Sequence, residues 1–170
     1  MEDLLEAIKK GLQDGNYYSS LFLTVMLPSI CVALESVDGE DRSTRYIAWY
    51  NKYVQNYPLD GEDCYKLRCS LLHQATTIHK ESSFSRVLFT FPNEKGHVFH
   101  MNIFGIKFNN KSIKALNLDI KLFSETLIAA TEKWLKEVEG SENYKKHIKN
   151  TLKIYPDGFA PYFKGIPVIT

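Results

Sequence analysis

Cysteine, arginine and an excess of either charge are scarce in this chain. The three cysteines, Cys31, Cys64 and Cys69, are odd in number and lie in apolar surroundings. That excludes a fully paired disulfide framework and reads as reduced thiols in a cytoplasmic protein. Lysine and arginine total 21 against 20 acidic residues, a net charge of +1. No broad electrostatic face for long nucleic acid or an anionic membrane follows from that balance, so any nucleic-acid contact is expected to be local, in a cleft. There is no glycine-rich phosphate loop, which leaves P-loop nucleotide hydrolysis unsupported. Internal repeats and low-complexity tracts are also missing. The acidic start, Met1-Glu2-Asp3, has no positive flank of the kind a secretory signal carries, and no targeting segment is expected.

What is there suffices for one domain spanning residues 1–170. Hydrophobic residues make up 44% of the chain and charged residues 24%, enough apolar material for a real core. The stretch from Gly15 to Leu34 has no charged side chain, which raises the question of a membrane span. Asn16, Ser19, Ser20, Thr24, Pro28 and Ser29 interrupt it, and no lysine or arginine flanks it closely. A central bundle helix is the expectation, with no membrane partner.

The periodicity is mainly helical. Leu4, Leu5, Ile8 and Leu12 recur at helical spacing over residues 2–13, and Asp14-Gly15 supplies the stop. A second helix is expected over 17–35, kinked or broken at Pro28. A third runs to about Val54, capped by Asp41 or Ser43, with an aromatic face of Tyr46, Trp49, Tyr50 and Tyr53. Asp60-Gly61-Glu62-Asp63 opens a fourth, acidic at the positive end of its dipole. Residues 86–91 and 97–102 are β-rich runs joined by Pro92-Asn93-Glu94-Lys95-Gly96, which predicts a β-hairpin inserted at about 86–108. Residues 103–108 are a candidate further strand, and 113–118 are ambiguous. Helical pattern returns over 120–139, and a basic helix is expected over 142–153. The last residues, 155–170, show no strong periodicity. The fold class expected is mainly α, a helical bundle with an inserted β-hairpin too short to hold a core of its own.

The most telling segment lies in the fourth helix, Cys64-Tyr65-Lys66-Leu67-Arg68-Cys69-Ser70-Leu71-Leu72-His73-Gln74. A permanent cation and an imidazole that titrates near neutrality stand five residues apart in apolar company. Burying an uncompensated guanidinium costs several kcal/mol, so Arg68 is expected to have a partner or a chemical task. Five helical residues amount to about 140° of rotation and roughly 7.5 Å of rise. Arg68 and His73 can therefore flank one groove, and packing of the helix against its own copy would double the pair.

This segment resembles the HEPN superfamily (higher eukaryotes and prokaryotes nucleotide-binding), whose signature is an arginine, four to six residues, and a histidine on a bundle helix. Arg68 and His73 match it with a four-residue spacer, and Tyr65-Lys66-Leu67 and Leu71-Leu72 flank it in the family's manner. The resemblance implies a HEPN-like bundle, a homodimer through the Arg68–His73 helix, and a metal-independent endoribonuclease of the toxin or defence type. It also implies an RNA substrate, an antitoxin or other protein partner, and no cofactor. In that reading Arg68 binds the scissile phosphate and His73 is the general base or acid. Active members often carry a polar residue after the arginine, where Cys69 stands here, and some carry a tyrosine two residues after the histidine, where Ala75 stands. The alternative is accordingly a HEPN-like module without catalysis that binds a nucleotide or a protein.

Other signals are weaker. Cys69 and His73 form an i, i+4 pair that could hold zinc, but two further ligands are needed and no metal site is expected. His97 and His100, three apart on a strand, should face opposite sides. No base accompanies Cys31 or Cys64 that would make either a nucleophile. The aromatic face of the third helix is expected to be core or interface before it is a base-stacking platform. Lys133, Lys136, Lys145, Lys146, His147 and Lys149 alternate with glutamates and read as a solvated helix face.

Overall fold

The computed structural model describes residues 1–92, 98–108 and 111–170. Leu5 and Ile8 hold the first helix, α1 (Glu2–Gln13), against the second, α2 (Tyr17–Glu35), and Gly15 turns the chain between them at φ +73°. Ten residues of α2 are buried, and it packs against α1, α3 (Ser43–Tyr53), α4 (Gly61–Gln74), α5 (Ile120–Val138) and α6 (Glu142–His147). Among the described residues α2 is the one helix long and apolar enough to cross a membrane, and the surface it buries on its neighbours is what a central bundle helix requires. Two polar bonds tie α2 to α5. The Thr24 hydroxyl meets that of Ser124 at 3.0 Å, and the Trp134 indole N–H donates to Glu35 Oε2 at 2.6 Å.

Several local expectations need correction. Of the kink or break expected at Pro28, the break is not there: the helix runs on through the proline, which is buried within it. Proline removes the donor for the Thr24 carbonyl, and the Tyr46 hydroxyl donates to the adjoining Val25 carbonyl at 3.1 Å, so packing and an outside donor hold the helix through the defect. Neither Asp41 nor Ser43 caps α3; Arg42 occupies the N-cap with no side-chain bond, because Asp41 is turned toward α4. The last basic helix is shorter than expected, closing with a 3-10 turn at Ile148–Asn150, since α6 buries no residue that would prolong it.

Between α4 and α5 the chain forms a three-stranded mixed sheet in the order β1-β3-β2, with β1 (Arg86–Thr90), β2 (Asn102–Phe108) and β3 (Lys111–Asp119). Among the described residues, 86–91 and 98–102 do not pair as the expected hairpin. β1 runs parallel to β3, from Arg86 opposite Ala115 to Thr90 opposite Asp119, and β2 is antiparallel to β3, from Asn102 opposite Asn117 to Phe108 opposite Lys111. The turn expected at 92–96, apart from Pro92, and the His97 assignment lie outside the described residues. The ambiguous run 113–118 is the central strand. Leu116 and Leu118 are fully buried there, which secures β3 more firmly than the exposed Val98, Phe99 and Met101 could be secured. β3 passes straight into α5, whose N-cap, Asp119, accepts from the backbone N–H groups of Lys121 and Leu122. At the end of the chain β4 (Ile154–Tyr155) and β5 (Val168–Ile169) pair antiparallel.

Candidate functional site

α4 is held at both ends and along one side. The Asp60 side chain caps its start by accepting from the Asp63 N–H at 2.8 Å, with Glu62 and Asp63 favourably placed in the first turn. At its end Ala75 adopts the left-handed conformation, φ +51°, and the Thr76 N–H reaches back to the Ser70 carbonyl at 3.3 Å. Cys64, Leu67, Ser70 and Leu71 face inward and are buried. The buried Asp63 carboxylate also accepts from the Ser82 hydroxyl and the Ser83 N–H, fastening the following loop.

The opposite side of α4 carries a half-buried stripe, Tyr65, Cys69 and Leu72. At about 100° per residue, Arg68 and His73 flank this stripe, each roughly 70° from its centre line. The structure therefore brings the two residues expected to form the site onto the same outward half of one helix, but not into contact. His73 is exposed in the last turn. The Arg68 side chain is 17% exposed and turned toward Asp41, with Nη2 3.4 Å from Asp41 Oδ2.

That ion pair is incompletely satisfied. Arg68 Nε and Asp41 Oδ1 are both buried and without a hydrogen-bond partner. Arg68 Nη1 lies 4.0 Å from Cys69 Sγ, and the guanidinium carbon sits 5.9 Å from the centre of the Tyr65 ring. Asp41 belongs to the loop before α3, where Asp38 pairs with Arg42 and Arg45 and Glu40 with Arg42. Local spacing marks Asp41 or Ser43 as a helix cap and reveals nothing of a partner 27 residues away. The nearer carboxylates are otherwise engaged, Glu62 with Lys66 at 2.8 Å and Asp63 with the 82–83 loop.

The remaining candidates resolve by burial. Tyr46, Trp49 and Tyr50 are core residues, and Tyr53 hydrogen-bonds Glu137 at 2.7 Å. All three cysteines are free. Burial pushes the Cys64 thiol up to about 12, where the thiolate is scarce at neutral pH, and raises Cys31 as well. Among the described residues no three histidine, cysteine or acidic side chains gather to hold a metal. His100, assigned no task by the sequence, is a structural bolt. Its Nδ1 accepts from the Asp119 N–H at 3.0 Å and its Nε2 faces the Tyr57 hydroxyl at 3.3 Å. Compared with known protein families, curated proteins and solved structures, the chain matches none.

Proposed function

We propose that the chain is a HEPN-like, metal-independent endoribonuclease of the prokaryotic cytoplasm, assembled as a homodimer through the outward face of α4. The observation that carries this reading is the placement of Arg68 and His73 on either side of the half-buried stripe Tyr65, Cys69 and Leu72, opposite the core face of α4. A second copy seated on that stripe would set two such pairs around one cleft and exclude water from it. His73, in its neutral form, takes the proton of a ribose 2′-hydroxyl, and the 2′-oxygen attacks the adjacent phosphorus. The bond from phosphorus to the 5′-oxygen breaks, and that oxygen accepts a proton from an imidazolium, leaving a 2′,3′-cyclic phosphate and a 5′-hydroxyl. Arg68 holds the phosphate and offsets the charge that builds on it. Its single contact to Asp41, at 3.4 Å, supports this, because Arg68 keeps 17% of its side chain exposed toward an incoming oxyanion.

The decisive experiment incubates the chain with structured RNA in excess chelator. Cleavage to cyclic-phosphate ends is expected, falling about 10²–10⁴-fold in His73→Ala and on the order of 10²-fold in Arg68→Ala. Cleavage that survives both substitutions sinks the assignment.

A second reading, a HEPN-like module that binds a nucleotide or a protein such as an antitoxin without catalysis, is favoured by one observation. The Asp41 carboxylate at 3.4 Å meets an incoming phosphate with an ion pair instead of a lone cation. Asp41→Asn separates the two. Under the first reading it increases RNA cleavage; under the second no variant cleaves at all.

A further inference from the structure

The geometry points to β2 as a second interface, on which a second copy of this chain pairs its own β2 antiparallel about a two-fold axis, joining two three-stranded sheets into one of six.

β2 is the edge strand of its sheet, and among the described residues its far side carries no neighbour. Residues 102–107 are all exposed, with Ile103, Phe104 and Ile106 at 52%, 44% and 55%. Edge strands of stable monomers are usually blunted by charges, proline, a bulge or a covering loop. Lys107 is the only charged residue of β2, which contains no proline, and its register with β3 runs from Asn102 to Phe108 without a bulge. The adjoining segment adds Val98, Phe99 and Met101, each at least 44% exposed. Six half-exposed apolar side chains amount to on the order of 600 Å² per copy, the top of the range seen on monomers. Pairing over 102–108 removes part of that patch from water on both copies, the share contributed by Ile103, Phe104 and Ile106.

The strand fits itself better than it fits an unrelated edge. Gly105 is its midpoint, so full overlap of two copies sets Gly105 opposite Gly105 of the partner. In that register Phe104 of each copy meets Ile106 of the other, giving two aromatic–aliphatic pairs on one face. That face already holds Leu88, 39% exposed, and the half-buried Ile113 and Ala115, which lie opposite Ile106 and Phe104 in β3. Lys107 falls opposite Ile103, and the two lysines stand about 14 Å apart along the strand, beyond the screening length at physiological salt. The pairing thus joins apolar to apolar at Phe104 and Ile106 and places no like charges together. It uses a surface separate from the outward face of α4 and holds whether or not that face binds a second copy.

Two variants test it. Ile106→Lys adds a charge at an exposed position and should leave the circular dichroism unchanged while lowering the mass measured by light scattering by at least half. Gly105→Cys is sterically free, since an added Cβ at Gly105 meets nothing within 4 Å, and the opposed backbones are close enough for a disulfide. Mild oxidation should give a covalent dimer whose peptide map shows a 105–105 link, absent from the parent chain. A mass unaffected by Ile106→Lys, or the absence of the 105–105 link in Gly105→Cys, overturns the proposal.

Discussion

Adding one methyl group at Gly61 would put a carbon 2.6 Å from the Ile47 carbonyl oxygen and 2.9 Å from Asn51 Oδ1. Both neighbours are committed, Ile47 as helix backbone and Asn51 by accepting from the Gly61 N–H at 2.8 Å. Neither can retreat, so Gly61→Ala forces α3 and α4 apart. The expected loss is about 1–3 kcal/mol, the range of overpacked sites, measured as a lower urea midpoint; a neutral result would mean that the two helices do not meet at this point. At His100 the effect depends on pH. Burial depresses its pKa, opposed in part by the Asp119 carboxylate, and Nδ1 must stay unprotonated to accept from the Asp119 N–H. The unfolded chain therefore takes up the proton first as pH falls through about 6.5. Stability is full above that value and declines toward the lower folded pKa. In His100→Asn the side-chain oxygen can replace Nδ1 as acceptor without titrating. Its urea midpoint should vary less between pH 7.5 and 5 than that of the parent; equal slopes would remove His100 as the cause.

At the scale of elements, the junction where β3 becomes α5 rests on Asp119 accepting from two backbone N–H groups. Asp119→Ala should cost about 1 kcal/mol, typical of a lost N-cap, seen as a lower thermal midpoint with unchanged helix content at 20 °C. That junction also marks where the sequence stopped being readable. The helices were legible because their apolar residues repeat at the helical period and Gly15 and Asp60 punctuate them. Strand pairing was not, because neighbouring β-rich runs suggest a hairpin, whereas β1 pairs with β3 after an intervening strand. Local pattern gives the period of a strand but not its partner. The site shows the same division. Arg68 and His73 could be found from a spacing within one helix, while Asp41, which decides how available Arg68 is, lies across a turn and a helix.

At the scale of the molecule, the core and the apolar side chains packed on it end at Ile148. Beyond it, Leu152, Ile154, Tyr162, Phe163, Ile166 and Ile169 are all more than half exposed, and among the described residues β4 and β5 pair only with each other. Apolar surface that is not removed from water contributes little to folding, at roughly 25 cal/mol per Å² buried. The bundle built on α2, with its ties from Thr24 to Ser124 and from Glu35 to Trp134, should therefore fold without the tail. A chain ending at Asn150 is expected to keep the parent's thermal midpoint within about 4 °C, which for a domain of this size is a change on the order of 1 kcal/mol. Trp134→Phe, which strips Glu35 of its indole donor and leaves a carboxylate under-paired at the α2–α5 contact, should lower the midpoint further than deletion of all twenty residues, because losing the partner of a hydrogen-bonded charge costs more than losing exposed surface. The reverse order would mean that the tail is packed on the bundle in solution and that stability is not concentrated along α2.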